Sequence, residues 1–170
     1  SRGINFIMDT DGTQFIPWSD LTPEDIVIVP AFGTTIEIEA LLKEIGIEVP
    51  KYNTTCPFVE KVWKRSAKLG EDAHTIIIHG KHNHEETRAT FSHSTNKGPS
   101  IIVKNMEETI FLTEVIKGNR SSEEFYSYFE GKYSQGFDPA RDFNKVGVVN
   151  QTTMLATETQ AIADKVKECM

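Results

Sequence analysis

The sequence predicts an α/β protein of mostly parallel strands flanked by helices, and two observations carry the prediction. Short apolar runs of strand length alternate with helical patterns, and glycine, proline and asparagine punctuate the joints between them. A βα alternation of this kind implies parallel strands joined by crossovers. No internal repeat or low-complexity stretch interrupts it.

Taken in order, Asp25 to Ala31 (DIVIVPA) reads as a buried-type strand. The Phe32-Gly33 turn follows, then a helix whose apolar residues Ile36, Ala40, Leu41 and Ile45 recur at helical spacing until Gly46 ends it. A weak strand at Ile47 to Val49 leads through Asn53-Thr54-Thr55 to Cys56-Pro57. There a helix carrying Val59, Val62, Trp63 and Ala67 begins, with Gly70 as its stop. Thr75 to His79 (TIIIH) is a strand that opens into Gly80 to Thr87 and a short helix. Ser100 to Val103 is a strand, Met106 to Ile116 a helix and Val146 to Val149 a last strand, which opens into Asn150-Gln151-Thr152-Thr153 and a helix to about Glu168. Between them, 117–144 is polar and aromatic, and reads as a helical excursion whose rings dock onto the main body. A boundary is expected near Thr54, separating a short piece, 1–53, from a longer α/β unit, 54–170.

The 170 residues, 38% of them hydrophobic, suffice for one ordinary domain or two small ones. With 18 Lys and Arg against 25 Asp and Glu, the net charge of -7 argues against nucleic acid or an anionic membrane surface as partner. An anionic ligand would be caught locally. No apolar run reaches the length of a membrane span, and the N-terminus lacks a basic-then-apolar signal pattern. The two cysteines, Cys56 and Cys169, lie too far apart for a metal knuckle.

In open parallel sheets ligands bind beyond the carboxyl ends of the strands. Four loops are expected on such edges: Phe32 to Thr35, Thr54 to Pro57, Gly80 to Thr87, and Asn150 to Thr153. Cys56 sits where a helix begins, with Pro57 suited to its first position, so the helix dipole favours a thiolate, a nucleophile or metal ligand. A cysteine that merely packs is the alternative. Cys169, at a helix C-terminus, reads as structural. The stretch His79 to Glu86 gathers His79, His82 and His84 beside Lys81, Glu85 and Glu86. It allows three readings: zinc held by the histidines with Glu86 as base, an anion held by Lys81 and His84 with Glu86 moving protons, or surface histidines beside a carboxylate-rich first helical turn. Asn150 to Thr153 either caps the last helix or offers hydroxyls and N–H groups to a substrate. Trp18 and Trp63 read as packing residues.

Several motifs in order carry a resemblance. Thr54-Thr55-Cys56-Pro57-Phe58-Val59-Glu60-Lys61-Val62-Trp63, Ile78-His79-Gly80-Lys81, His84-Glu85-Glu86-Thr87 with Ala89-Thr90, and Asn150-Gln151-Thr152-Thr153-Met154-Leu155 with Glu158-Thr159 together resemble the 4-hydroxy-3-methylbut-2-enyl diphosphate reductase family. Pro30-Ala31-Phe32-Gly33 and Gly136-Phe137-Asp138-Pro139 are similar to its plant and cyanobacterial branch. The resemblance implies a fold of three α/β lobes, of which 1–53 would be the end of the first and 54–170 the second. It implies reductive removal of an allylic hydroxyl, yielding isopentenyl and dimethylallyl diphosphate, the last step of the methylerythritol phosphate route. It implies a [4Fe–4S] cluster held by three cysteines, one per lobe, with Cys56 the middle one, His84 holding the diphosphate, Glu86 relaying a proton, and Thr152, helped by Gln151, orienting substrate or water. Ferredoxin or flavodoxin would donate electrons, in a bacterial cytoplasm or a plastid stroma.

Two departures qualify the match. No cysteine precedes Cys56, Cys169 does not match the family's third cluster ligand, and Phe32 stands where shorter bacterial relatives carry a histidine. The chain is therefore expected to be an internal fragment, inactive alone, with an exposed apolar face that favours self-association. Two readings of other classes stay open: a zinc hydrolase built on His79, His82, His84 and Glu86, or a non-catalytic α/β module that meets a partner through Phe125 or Tyr128.

Overall fold

A computed structural model describes residues 3–170; the first two residues of the 1–53 piece lie outside that range. Three strands, β1 (Thr75–His79), β2 (Ser100–Val103) and β3 (Val146–Asn150), form one parallel sheet in the order β2-β1-β3. The apolar runs TIIIH and SIIV are buried along their whole length, as strands covered on both faces must be. On one face Ile76, Ile78, Ile102 and Val149 pack against Val62 and Leu69 of α2 (Pro57–Glu71) and Phe91 of α3 (Glu85–Thr95). On the other, Ile77, Ile101 and Val103 meet Leu112 and Val115 of α4 (Met106–Ile116) and Ile162 and Val166 of α7 (Ala156–Lys167).

The aromatic excursion completes this second core. Its two short helices, α5 (Ser122–Tyr128) and α6 (Pro139–Asp142), are set by local chemistry: a Ser121–Glu124 capping box starts the first and Asp138 caps the second. Phe125 is 0% exposed and meets Phe129, Tyr133, Phe137 and Phe143 at ring-centroid distances of 5.3 to 5.9 Å. The expected docking of the rings is therefore found. Phe125 itself is inside, so it is not a surface for a partner.

The N-terminal part keeps a cluster of its own, with Val27, Val29, Ile47 and Val49 around Leu42 of α1 (Ile36–Ile45). Here the expected strands are corrected. Asp25 to Ala31 alternates, with Ile26 and Ile28 exposed and Val27 and Val29 buried, yet only Val29 pairs, in a parallel bridge with Asn53. Ile47 to Val49 forms no strand: Pro50 has no N–H for a ladder, and Val49 to Tyr52 coil into a 3-10 turn.

Other boundaries shift for identifiable reasons. α2 runs past Gly70 to Glu71 and stops where Ala73 takes a left-handed φ of 59°. Gly70 serves a close approach instead, since a Cβ there would lie 2.6 Å from the Lys97 carbonyl oxygen. The helix after Gly80 is not short; it continues for 11 residues to Thr95. The last helix begins at Ala156, several residues beyond Thr153.

Truncation of Phe125 to alanine is expected to cost about 3–5 kcal/mol of stability in urea unfolding. A loss below about 1 kcal/mol would place the excursion outside the core.

Candidate active site

The parallel register sets His79 of β1 opposite Asn150 of β3, so the loops that leave these two strands run side by side. Gln151 welds them. Its amide is 2% exposed; Oε1 accepts from the Lys81 N–H at 3.2 Å and the Thr87 hydroxyl at 3.0 Å, while Nε2 donates to the Thr153 hydroxyl at 2.7 Å. Glycine at position 80 makes room for this, because a Cβ would sit 2.5 Å from the Thr87 hydroxyl. The Gln151 side chain thus holds the loops together through three hydrogen bonds and keeps one Nε2–H beyond them.

Glu86, one residue before Thr87 in the first turn of α3, is 1% exposed. Burying a carboxylate demands compensation. It comes from the helix N-terminus and from one neighbour: Thr152 donates its N–H to Oε1 at 2.5 Å and its hydroxyl to Oε2 at 2.9 Å. Thr152 itself is exposed, so a buried acid is tied to a hydroxyl at the surface.

His84 is the N-cap of α3, and its Nδ1 accepts from the Glu86 N–H at 3.2 Å. An accepting Nδ1 carries no proton, which puts the ring's proton on Nε2 and makes it an outward donor. The edge of Phe32 packs on this ring at 5.4 Å between centroids. Beside it, burial pushes the Glu85 carboxyl up, with Asp9 adding to the rise and His84 and Arg88 opposing it.

Cys56 is the half-buried N-cap of α2, followed by Pro57 at the first helical position, and its thiol is free. It caps nothing with its side chain; its N–H donates to the Ala31 carbonyl at 2.9 Å. The Pro30 to Thr35 turn thus touches both Cys56 and His84, although it follows no strand, and neither does Thr54 to Pro57. Only two of the four expected loops are strand-end loops.

The zinc arrangement is not formed. His79 points to α7, where its Nδ1 meets the Thr159 hydroxyl at 2.8 Å, and His82 is exposed. Among the described residues no three His, Cys, Asp or Glu side chains converge as a metal site. Lys81 is also exposed, and enters the site only through its backbone N–H. Cys169 lies at the end of α7 with its thiol toward the Lys165 carbonyl.

One residue passed over in the sequence matters here. Trp63 of α2 donates its indole N–H to Thr90 at 3.1 Å, stacks on His93 at 3.7 Å, and lies where a Cβ on Gly33 would be, 2.4 Å from the ring. The spacing of Trp63 within a helix shows only that it packs; what it packs against needed the fold. His93 in turn reaches the Thr34 carbonyl at 3.3 Å, and burial holds its ring below the ordinary histidine range against the opposing pull of that carbonyl and of Glu37.

Comparison with known proteins places the chain among relatives. It matches the family described as LytB protein over residues 1–170. It is 40% identical over 153 residues to the chloroplastic 4-hydroxy-3-methylbut-2-enyl diphosphate reductase of Botryococcus braunii, covering 90% of this chain and 30% of that one. It is 41% identical over 159 residues to the reductase of the same name from Rippkaea orientalis, covering 94% and 38%. The chain therefore spans about a third of the length of these relatives. Its fold is similar to that of a diphosphate reductase structure from Plasmodium falciparum, with a TM-score of 0.61 at 21% identity over 91% of this chain and 39% of that one.

Two predictions follow from the histidines. The ring-nitrogen NMR signals of His84 should show a protonated Nε2 and a bare Nδ1 at neutral pH, and the reverse would remove it as the cap of α3. Because the folded pKa of His93 is depressed, its contribution to stability is fully present above the unfolded value of about 6.5 and lost as pH falls through the lower folded value. The loss of urea stability between neutral and acid pH should shrink in His93→Gln; an unchanged loss would contradict a neutral, half-buried ring.

Proposed function

Because the chain belongs to the LytB protein family, we propose that it forms part of a 4-hydroxy-3-methylbut-2-enyl diphosphate reductase, with 1–53 the end of one α/β lobe and 54–170 a second lobe carrying the excursion 117–144. The enzyme takes an allylic diphosphate and removes its hydroxyl by two-electron reduction, giving isopentenyl and dimethylallyl diphosphate. Ferredoxin or flavodoxin is the electron donor, and the compartment is a bacterial cytoplasm or a plastid stroma. Among the described residues no helix is long and apolar enough to cross a membrane.

The observation that carries the reading is the buried Glu86 carboxylate joined through both oxygens to the exposed Thr152. A hydroxyl leaves as water only when it gains a proton, and a second proton goes to the allyl system. When Glu86 carries that first proton, its Oε2–H turns toward the Thr152 hydroxyl oxygen, and the Thr152 hydroxyl in turn gives its own proton to the leaving hydroxyl, directly or through a water. Gln151 keeps this pair in register by bonding both loops. His84 offers Nε2–H to the diphosphate, a charge-assisted bond that needs no positive charge on the ring.

Cys56 fits one ligand position of a [4Fe–4S] cluster, since its thiol is free, half-buried and set at a helix N-terminus. When bound, the cluster would supply the electrons for the reduction. No further thiolate joins Cys56 among the described residues, as Cys169 is engaged on α7. One thiol is short of the three that such a cluster needs, and the remaining ligands would come from the rest of a reductase, of whose length this chain spans about a third.

In the complete reductase, reconstituted anaerobically, Glu86→Gln should lower turnover by about 10²–10⁴-fold while leaving the visible cluster spectrum in place. Turnover at the parent rate would remove Glu86 from proton transfer. Loss of iron and sulfide in Cys56→Ser is expected alongside, and full retention would remove Cys56 as a ligand.

A further inference from the structure

The proton path described above uses nothing from His79, yet this is the most deeply buried histidine with a free ring nitrogen at the site's edge: 1% exposed, with Nε2 lacking a hydrogen-bond partner. Two of its polar connections lie at the two ends of one loop. The His79 carbonyl accepts the Gln151 N–H at 2.9 Å, where the loop leaves β3. The His79 ring meets the Thr159 hydroxyl at 2.8 Å, and that hydroxyl reaches the Leu155 carbonyl at 3.2 Å, where the loop enters α7. Thr152, the partner of Glu86, lies between these two anchors.

A threonine hydroxyl has one proton to give. If it goes to Leu155, His79 donates from Nδ1 to the Thr159 oxygen. The other tautomer would turn the Thr159 proton toward His79 and leave the Leu155 carbonyl with the Thr159 N–H alone. We infer that His79 is a positioning residue: through its backbone and its Nδ1–H it clamps both ends of the Gln151 to Leu155 loop, and so fixes the Thr152 donors on Glu86. The inference deepens the proton-relay reading and rests on it for its functional meaning. The charged group facing the ring is Glu158 of α7, and the backbone of Lys104, before α4, offers it a hydrogen bond.

The test reads the loop directly in the ¹⁵N-labelled chain. A short N–H bond to a carboxylate moves the Thr152 amide proton far downfield. Thr159→Val, which keeps shape but removes the hydroxyl, should move that signal upfield, and His79→Phe should move it by the same amount. The double variant should add nothing to either single one. Unchanged Ile76 and Ile101 amides report an intact sheet; should His79→Phe fail to fold, Thr159→Val alone carries the test. A Thr152 amide that stays in place in Thr159→Val, or single shifts that sum in the double variant, overturns the clamp. The relay reading fails separately: if the clamp variants behave as expected while the complete reductase tolerates Glu86→Gln, His79 still positions the loop but the loop is not the proton path.

Discussion

A carboxylate placed inside a protein must be held by donors or give up its charge, and the geometry around Glu86 follows from that requirement. Both donors come from Thr152, 66 residues away in sequence, so the first turn of α3 and the loop after β3 must meet within hydrogen-bond distance. That meeting needs β1 and β3 to be parallel neighbours with His79 opposite Asn150. It needs glycine at 80 so that Thr87 can close on Gln151. The sheet, the two loops and the helix start are thus conditions for one acid to sit where it does.

The second half of the candidate site is coupled to the first through a short turn. Ala31, Phe32, Gly33, Thr34 and Ile36 in turn touch the Cys56 N–H, the His84 ring, the Trp63 ring, the His93 ring and the Ser92 hydroxyl. Cys56 starts α2, His84 starts α3, and Trp63 with Thr90 and His93 fastens those two helices farther along. The N-terminal piece therefore works as a spacer that sets one helix start against the other. Phe32 illustrates the consequence: it brings no polar side-chain group to the site, but its ring stands perpendicular to that of His84 and packs against it.

Much of this was legible in the residues. TIIIH and SIIV are apolar along their length and admit only a strand covered on both sides, and Cys56-Pro57 and His84-Glu85-Glu86 announce helix starts by cap chemistry alone. What escaped depends on partners distant in sequence. DIVIVPA has strand propensity, but a ladder needs a neighbour and only Asn53 pairs with it. The density of histidines suggested zinc, yet alternation along β1 and the turn after it sends His79 to α7 and His82 to solvent, which no spacing rule for a single loop reveals. Gln151 read as an aid to substrate binding because amides suit that role; its three side-chain hydrogen bonds to loop and helix groups show a second role, joining the two loops.

The dependence of the fold's upper edge on one buried acid is most directly tested by a double-mutant cycle between Glu86→Gln and Thr152→Val, read by urea unfolding of the chain. If the two side chains act as one unit, the coupling energy should be about 1 kcal/mol or more, with the double variant close in stability to the worse single one. Strictly additive losses, with coupling within about 0.3 kcal/mol of zero, would contradict it.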